Sequence, residues 1–469
     1  MTLKRNLLIY FLALLIFPLQ QTFSQSKTVV SGIAHGAMGK KIRLLTYDDQ
    51  ISCLTKELSS TIADTSGKFE LIFNISSTCF ANLYIDEYAA DLYIKPGDDL
   101  KIEINAEKYD EGTAEHFTPK SLTVNFPYAK NDDINLLIFD FNSIYSDFVE
   151  KNFKNIYYNH DKIAVDSFFA QIAKRYEIIK DEFFLDLVKY RLASLELLSH
   201  KINKQLVFQK YFNPCNIKYN NPGYMEFFVS FFDAYATQSL GQIKTTSLKN
   251  AVNVQKNYLA LFNALGEDSL LQNEILRELV MLITLKNMYY SPDYDKKAII
   301  DILNEINKNS KVEQHKIIAA NLVKLFSLHQ KGSKAPYFNL RNQYEKFISL
   351  DDFKGKYIYL TFWNTKCIDC EAEFDLISKV YDKYKNKIEI LSICTDKNFM
   401  TMQFYLKNKK YNWNFLHFNG NYELLDDYQI KTVPFYILID DKGNIAEYPA
   451  KNPIYNIEKY FDKIIENEK

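Results

Sequence analysis

Cys367 and Cys370, three positions apart, have the types and spacing to do chemistry. They follow the apolar, β-prone run Tyr359-Leu-Thr-Phe-Trp363, and a helix-period segment (Phe374, Ile377, Val380, Tyr381) begins at the second cysteine. Strand, CxxC, helix is the setting in which such a pair reads as a redox couple. A thiol attacks a disulfide only as the thiolate, and a cysteine at the first turn of a helix is favoured in that form by free N–H groups and the positive end of the dipole. Cys367, just ahead of the helix, is therefore expected to be the exposed nucleophile. Cys370, one turn further in, is expected to be the buried resolving thiol. A CxxC can also supply half of a zinc site, but the chain has no second CxxC and no HxxxH to complete one. A plain structural disulfide is the other alternative.

The elements that must position this pair lie in 332–469. Strands are expected at Tyr357–Trp363, Ile388–Cys394, Phe435–Asp440 and Asn444–Glu447, and helices at 370–385, 397–410, 421–428 and 453–467. Pro434 stands directly before the third of these strands. A cis bond costs only about 0.5–1 kcal/mol before proline, which suits a tight turn at that place; a trans proline starting the strand is the plainer reading.

Upstream, 27–125 carries short β-rich runs at 28–32, 41–45, 68–73, 81–85, 92–94 and 100–104. Turn signals at Asp64-Thr-Ser-Gly67 and Pro96-Gly-Asp-Asp99 separate them, and an antiparallel β sandwich is expected. From 128 to 330 the period changes to i, i+3, i+4, with Asp132 or Asp133 placed to cap the first helix, so the centre reads as an all-α domain of antiparallel hairpins. Its breaks fall at Asn213-Pro214 and Asn221-Pro-Gly223. The aromatic stripes Phe168, Phe169, Phe183, Phe184, Phe227 and Phe228 read as core, and no partner for this domain is legible.

Residues 332–469 resemble the exported, membrane-associated thioredoxins of the TlpA and ResA type. The resemblance rests on Gly332-Ser-Lys-Ala-Pro336, Phe362-Trp363, the CxxC, Pro434 in Thr432-Val433-Pro434, and an acidic residue three positions after the second cysteine, here Glu373. It implies an α/β thioredoxin fold and a thiol-disulfide oxidoreductase. Such a protein would reduce disulfides of cell-envelope proteins, including those of apocytochrome c during haem attachment, with electrons from a membrane thiol transporter. It also implies that Glu373 modulates proton transfer at the thiols, and that a cis Pro434 lies against the CxxC. The Val433 backbone would then pair with the substrate chain in β fashion, with Trp363 also on the substrate side. No cofactor is implied beyond the Cys367–Cys370 disulfide. Read from the residues alone, Glu373 is equally a solvated first-turn glutamate favouring the helix dipole. Residues 27–125 in turn resemble a small β domain often found ahead of exported thioredoxin-like domains.

The chain departs from the family pattern at three places. Lys366 stands where a Trp is usual, Ile368-Asp369 lacks the usual Pro, and Thr361 stands where ordinary thioredoxins carry a buried Asp. Lys366 favours the thiolate, while Asp369 and Glu371 oppose it, so the residues leave the direction of electron flow open. Two other functions remain open at this point. One is a peroxiredoxin-like peroxidase, although Thr361 and Thr365 do not reproduce its peroxide-binding arrangement. The other is an envelope binding protein with a vestigial or regulatory redox domain.

With 469 residues, 47% hydrophobic and 25% charged, the chain has globular composition and room for three domains. A net charge of −1 with scattered lysines gives no reason to expect a nucleic-acid partner. Residues 1–24 read as a secretory signal peptide: Lys4 and Arg5 precede an apolar run, and Thr22-Phe23-Ser24 supplies a cleavage site after Ser24. That run, about 13 residues long, is short of the ~20 that span a bilayer. The expected location is the periplasm or cell envelope, an oxidising compartment. Cys394 reads as a buried small hydrophobe, Cys53 and Cys79 could bridge, Cys215 is unpaired, and the histidines form no ligand spacing.

Overall fold

A computed structural model describes residues 27–86, 88–105, 120–199, 203–233, 235–236, 243–407 and 409–466. The expected signal peptide lies outside the described residues. Among them, no helix is long and apolar enough to cross a membrane.

The N-terminal region is built from two sheets whose inward side chains form one core, among them Val30, Leu71 and Ile102 from one sheet and Ile42, Leu83 and Leu92 from the other. Strand Lys68–Asn74 shows the alternation that makes a half-buried strand legible, with Phe69, Leu71 and Phe73 inside. The expectation of an antiparallel sandwich is corrected: both sheets are mixed. Lys27–His35 runs parallel to Asp99–Asn105, and Tyr88–Ile94 runs parallel to Lys120–Ser121. Parallel neighbours need a long crossover, which for the first pair is the chain between His35 and Asp99, carrying four strands of the second sheet and Lys68–Asn74 of the first, and no local turn signal announces it. Gly32 lies opposite Ile102 in that pairing, and a Cβ there would stand 1.8 Å from the Ile102 carbonyl oxygen. Strand Thr55–Ile62 escaped the sequence reading because it is a largely exposed edge strand with polar composition.

The central region is helical from Ile134 to Ser327. Eight of its helices begin where an Asp or Asn side chain accepts a first-turn N–H, at Asp133, Asp161, Asp181, Asn203, Asn221, Asn257, Asn273 and Asp295; Thr245–Lys249 and Glu313–Ser327 start without a side-chain cap. The expected helical stretch 161–200 is two helices, Lys162–Arg175 and Glu182–Leu198, the second capped by Asp181. Phe168, Phe184, Phe227 and Phe228 are core residues, with Phe169 and Phe183 packed beside them. The β domain is anchored here by Ile51, which enters the helical core while its carbonyl accepts from Lys286 Nζ at 2.6 Å.

The C-terminal region carries a seven-stranded sheet in the order Phe347–Ser349, Asn339–Asn342, Asn414–His417, Ile388–Cys394, Tyr357–Trp363, Phe435–Ile439, Ile445–Glu447. The central strand Tyr357–Trp363 pairs parallel with Ile388–Cys394 and antiparallel with Phe435–Ile439. Both its faces are covered. Tyr359 and Trp363 pack under helices Ile368–Tyr384 and Ile457–Glu466, while Ile358, Leu360 and Phe362 pack against Leu424, Leu425 and Tyr428. Two-sided burial is why this strand reads as a continuous apolar run. Three strands of only three or four residues (Asn339–Asn342, Phe347–Ser349 and Asn414–His417) were too short to stand out. Arg43 of the β domain reaches Glu423 at 3.2 Å and Asp426 at 3.4 Å, tying the first region to the third.

Candidate redox site

The site is made by the end of the central strand and the start of the helix after it. Past Trp363 the backbone turns: the Asn364 side chain accepts from Lys366 N, the Asn364 carbonyl accepts from Cys367 N, and Asp396 Oδ2 accepts from Thr365 N at 3.0 Å. Cys367 is the N-cap of helix Ile368–Tyr384, with extended backbone, and its Sγ accepts from Cys370 N at 3.1 Å. This is the arrangement that favours negative sulfur, because a hydrogen bond to a charged acceptor is worth about 1.5–3 kcal/mol. The two cysteines form a disulfide across a Cα separation of 5.3 Å. Cys370 is sealed in the core (0% exposed) and Cys367 is half-buried. Ile368 beside it is 84% exposed, and Lys366 and Asp369 are exposed too. Glu371 does not face the thiols uncompensated, since it is ion-paired with Lys409, whose hydrogen bond holds its carboxyl below the usual range.

Sheet register brings Pro434 to this end of the fold. Phe362 pairs with Phe435, so Pro434 precedes the partner strand at the level where the chain leaves for the cysteines. The Val433–Pro434 bond is cis, and Val433 and Cys367 are both half-buried against the same core cluster. Glu373 is no solvated first-turn residue. It is 3% exposed on the inner face of the cysteine helix, one turn past Cys370, and accepts from the Tyr436 hydroxyl. Burial pushes its carboxyl above the usual range, against the hydrogen bonds from Tyr436 and Asn452.

Trp363 is a correction. Expected on the substrate side, it is 0% exposed and wedged among Phe374, Tyr405 and Phe415 at ring separations of 5.2, 5.2 and 5.4 Å. The reason is strand alternation: Trp363 shares its face with Tyr359, beneath the cysteine helix. Thr361 is on that face too, fully buried, and its hydroxyl has no hydrogen-bond partner among the described residues. Cys394 is buried, its thiol pushed well up by desolvation and donating to Asp396 Oδ2 at 3.2 Å. Cys53, Cys79 and Cys215 are free, so Cys53 and Cys79 do not bridge. Sequence reasoning missed Tyr436 and Asp396. The register of Phe435–Ile439 against the central strand was the signal that could have found Tyr436, since it pairs with Thr361 and so faces the cysteine helix.

A paired, buried-and-half-buried CxxC on a helix N-terminus beside a cis-proline strand defines a thiol-disulfide oxidoreductase on a thioredoxin-like fold. The family described as AhpC/TSA matches residues 331–448. The thiol-disulfide oxidoreductase ResA of Bacillus cereus is 32% identical over 145 residues, covering 30% of this chain and 83% of that protein. ResA of Bacillus thuringiensis is 32% identical over 136 residues, covering 28% of this chain and 78% of that protein. Among solved structures, the thioredoxin domain of a thiol-disulfide oxidoreductase from Bacteroides vulgatus is 28% identical, with a TM-score of 0.27, covering 28% of this chain and 97% of that one. Through its C-terminal region, the chain belongs to the ResA family of thiol-disulfide oxidoreductases.

Proposed function

We propose that this chain is an exported disulfide reductase of cell-envelope proteins, working through Cys367 and Cys370. The observation that carries the reading is Cys367 as helix N-cap over a sealed Cys370, with the buried Glu373 carboxyl one turn below. In the reduced protein the Cys367 thiolate attacks one sulfur of a substrate disulfide; a new S–S bond forms, and the departing thiolate takes a proton from water. Glu373 then accepts the proton of Cys370, whose sulfur attacks Cys367. The Cys367–Cys370 bond closes and the second substrate sulfur leaves as a thiolate, which is protonated from water while Glu373 returns its proton to solvent, so two electrons from the cysteine pair and two protons from water reach the substrate. The substrate chain runs beside Val433 and Pro434 and pairs with the Val433 backbone. The pair is its own redox group and needs no further cofactor. It is recharged by a membrane dithiol electron donor, and export is directed by residues 1–24. Disulfides of apocytochrome c are one substrate class within this reading. Lys366 and the Lys409-compensated Glu371 support a stabilised nucleophile.

The test is the equilibrium reduction potential of the pair, poised against dithiol buffers and read by thiol alkylation. A value near or below roughly −250 mV is expected for a reductant. A value near roughly −120 mV, the range of an oxidant, overturns the direction.

A further inference from the structure

Three polar side chains share the buried layer beneath Cys370. Thr361 and Tyr436 are directly opposite each other on adjacent antiparallel strands, and both point under the cysteine helix, from which Glu373 descends. They are not equivalent. The Thr361 hydroxyl has no partner among the described residues, whereas the Tyr436 hydroxyl donates to Glu373 Oε2. Tyr436 is itself held in place: its ring stacks on Tyr359 at 5.1 Å, and the Tyr359 hydroxyl is tied to the Lys451 carbonyl at 2.6 Å. The groups facing the Glu373 carboxyl are Asp369 of its own helix, Tyr359 and Tyr436 of the sheet, and Asn452 of the loop before helix Ile457–Glu466. Further out, Glu447 bonds Tyr460 at 2.9 Å. No lysine or arginine is among them. The donors that hold Glu373 are therefore neutral.

We propose that Tyr436 is the positioning residue of the redox site: its hydroxyl holds the Glu373 carboxylate toward Cys370 and sets the pH at which that carboxylate can take the Cys370 proton. The hydroxyl of Tyr436 is bonded to the Glu373 carboxylate and not to a cysteine sulfur. It acts through Glu373, and the inference rests on the proposed role of Glu373 as proton acceptor. The donated hydrogen bond favours the charged carboxylate, the form that accepts a proton, against the burial that disfavours it. Without the bond, Glu373 stays protonated to higher pH and the resolving step starves at neutral pH. Because Tyr436 is two residues past Pro434, the strand that begins at the substrate loop is also the strand that holds the proton acceptor.

The experiment uses the full-length reduced protein mixed rapidly with oxidised glutathione across a pH range. The second kinetic phase, release of the second glutathione thiol, reports resolution by Cys370. In the wild type this phase rises with pH along a one-proton limb. Tyr436→Phe keeps the ring and removes the donor, and its limb is expected to move up by about one to two pH units, the strength of a hydrogen bond to a charged group. Replacing Tyr436 by 3,5-difluorotyrosine, a stronger donor of the same shape, is expected to move the limb down, and does not depend on the Phe variant folding. Tyr359→Phe, which removes a neighbouring buried hydroxyl bonded only to a carbonyl, is expected to leave the limb where it is. A purely structural Tyr436 would lower the rate at every pH without moving the limb. A stationary limb in both Tyr436 variants, or an equal shift in Tyr359→Phe, overturns the proposal. Glu373→Gln separates the two layers of the reading. If it removes the limb while the Tyr436 variants leave it unmoved, only the role of Tyr436 falls. If the limb survives Glu373→Gln, the role of Glu373 falls and that of Tyr436 with it.

Discussion

Trp363 is the residue where sequence resemblance and structure part, and it gives the sharpest prediction. Its indole is fully enclosed, in edge or tilted contact with three aromatic rings, with Nε1 donating to the Ser392 carbonyl at 3.4 Å. Trp363→Ala empties that volume, and large-to-small changes of this kind cost about 3–5 kcal/mol. Set against a total stability of about 5–15 kcal/mol for a folded domain, this takes a large part of the margin. Trp363→Phe retains a ring for the three aromatic contacts and loses only part of the volume and a long hydrogen bond, for a cost of about 1–2 kcal/mol. The chain has two tryptophans, Trp363 and Trp413, both in the redox domain, so in the Phe variant Trp413 fluorescence follows unfolding of that domain alone. Urea titration should show a lowered midpoint with an unchanged slope. Under native conditions, kcat/KM for a disulfide peptide should stay within about twofold, because an enclosed residue gives a substrate nothing to touch. A tenfold fall in kcat/KM with an unchanged urea midpoint would refute this reasoning and return Trp363 to the substrate side.

Further outcomes follow from the same geometry. Cys370→Ser should trap substrates as mixed disulfides on the half-buried Cys367, visible as adducts by intact-mass analysis under non-reducing conditions, and Cys367→Ser should trap none; adducts on Cys367→Ser would reverse the assignment of nucleophile and resolver. Glu373→Gln should become progressively more stable relative to wild type as pH rises. Burial raises the folded-state pKa of Glu373 above its unfolded value, so its contribution is full below the unfolded pKa and lost as pH climbs through the folded one. A melting-temperature difference that is constant from acid to neutral pH would count against that. Gly32→Ala should destabilise the N-terminal domain by about 1–3 kcal/mol or more, since the added Cβ would meet the Ile102 carbonyl and the strand pair must open to admit it. An unchanged far-UV melting curve would mean that the parallel pairing is not as described.

The local half of this protein was legible in the residues. The central strand, buried on both faces, announced itself as an apolar run; the CxxC marked the strand-to-helix turn; Asp132 or Asp133 marked the start of the first helix, and Asp133 caps it from side chain to backbone two positions on. These are short-range consequences of periodicity and hydrogen bonding. What crosses the sheet was not legible. Whether Glu373 is solvated or buried depends on Tyr436, 63 positions away, and on a register that no turn between them specifies. Trp363 was expected on the substrate side from the family resemblance, and the packing of Phe374, Tyr405 and Phe415 from three other elements closes it in. The parallel pairing of Lys27–His35 with Asp99–Asn105, and the insertion of Ile51 into the helical core, likewise join residues far apart in the chain. The residue sequence determined that a stabilised thiolate could form at Cys367. Tertiary structure decided that Glu373 is buried beneath Cys370 and that the Tyr436 hydroxyl holds it there, because burial and cross-strand register belong to the folded whole and to no local segment.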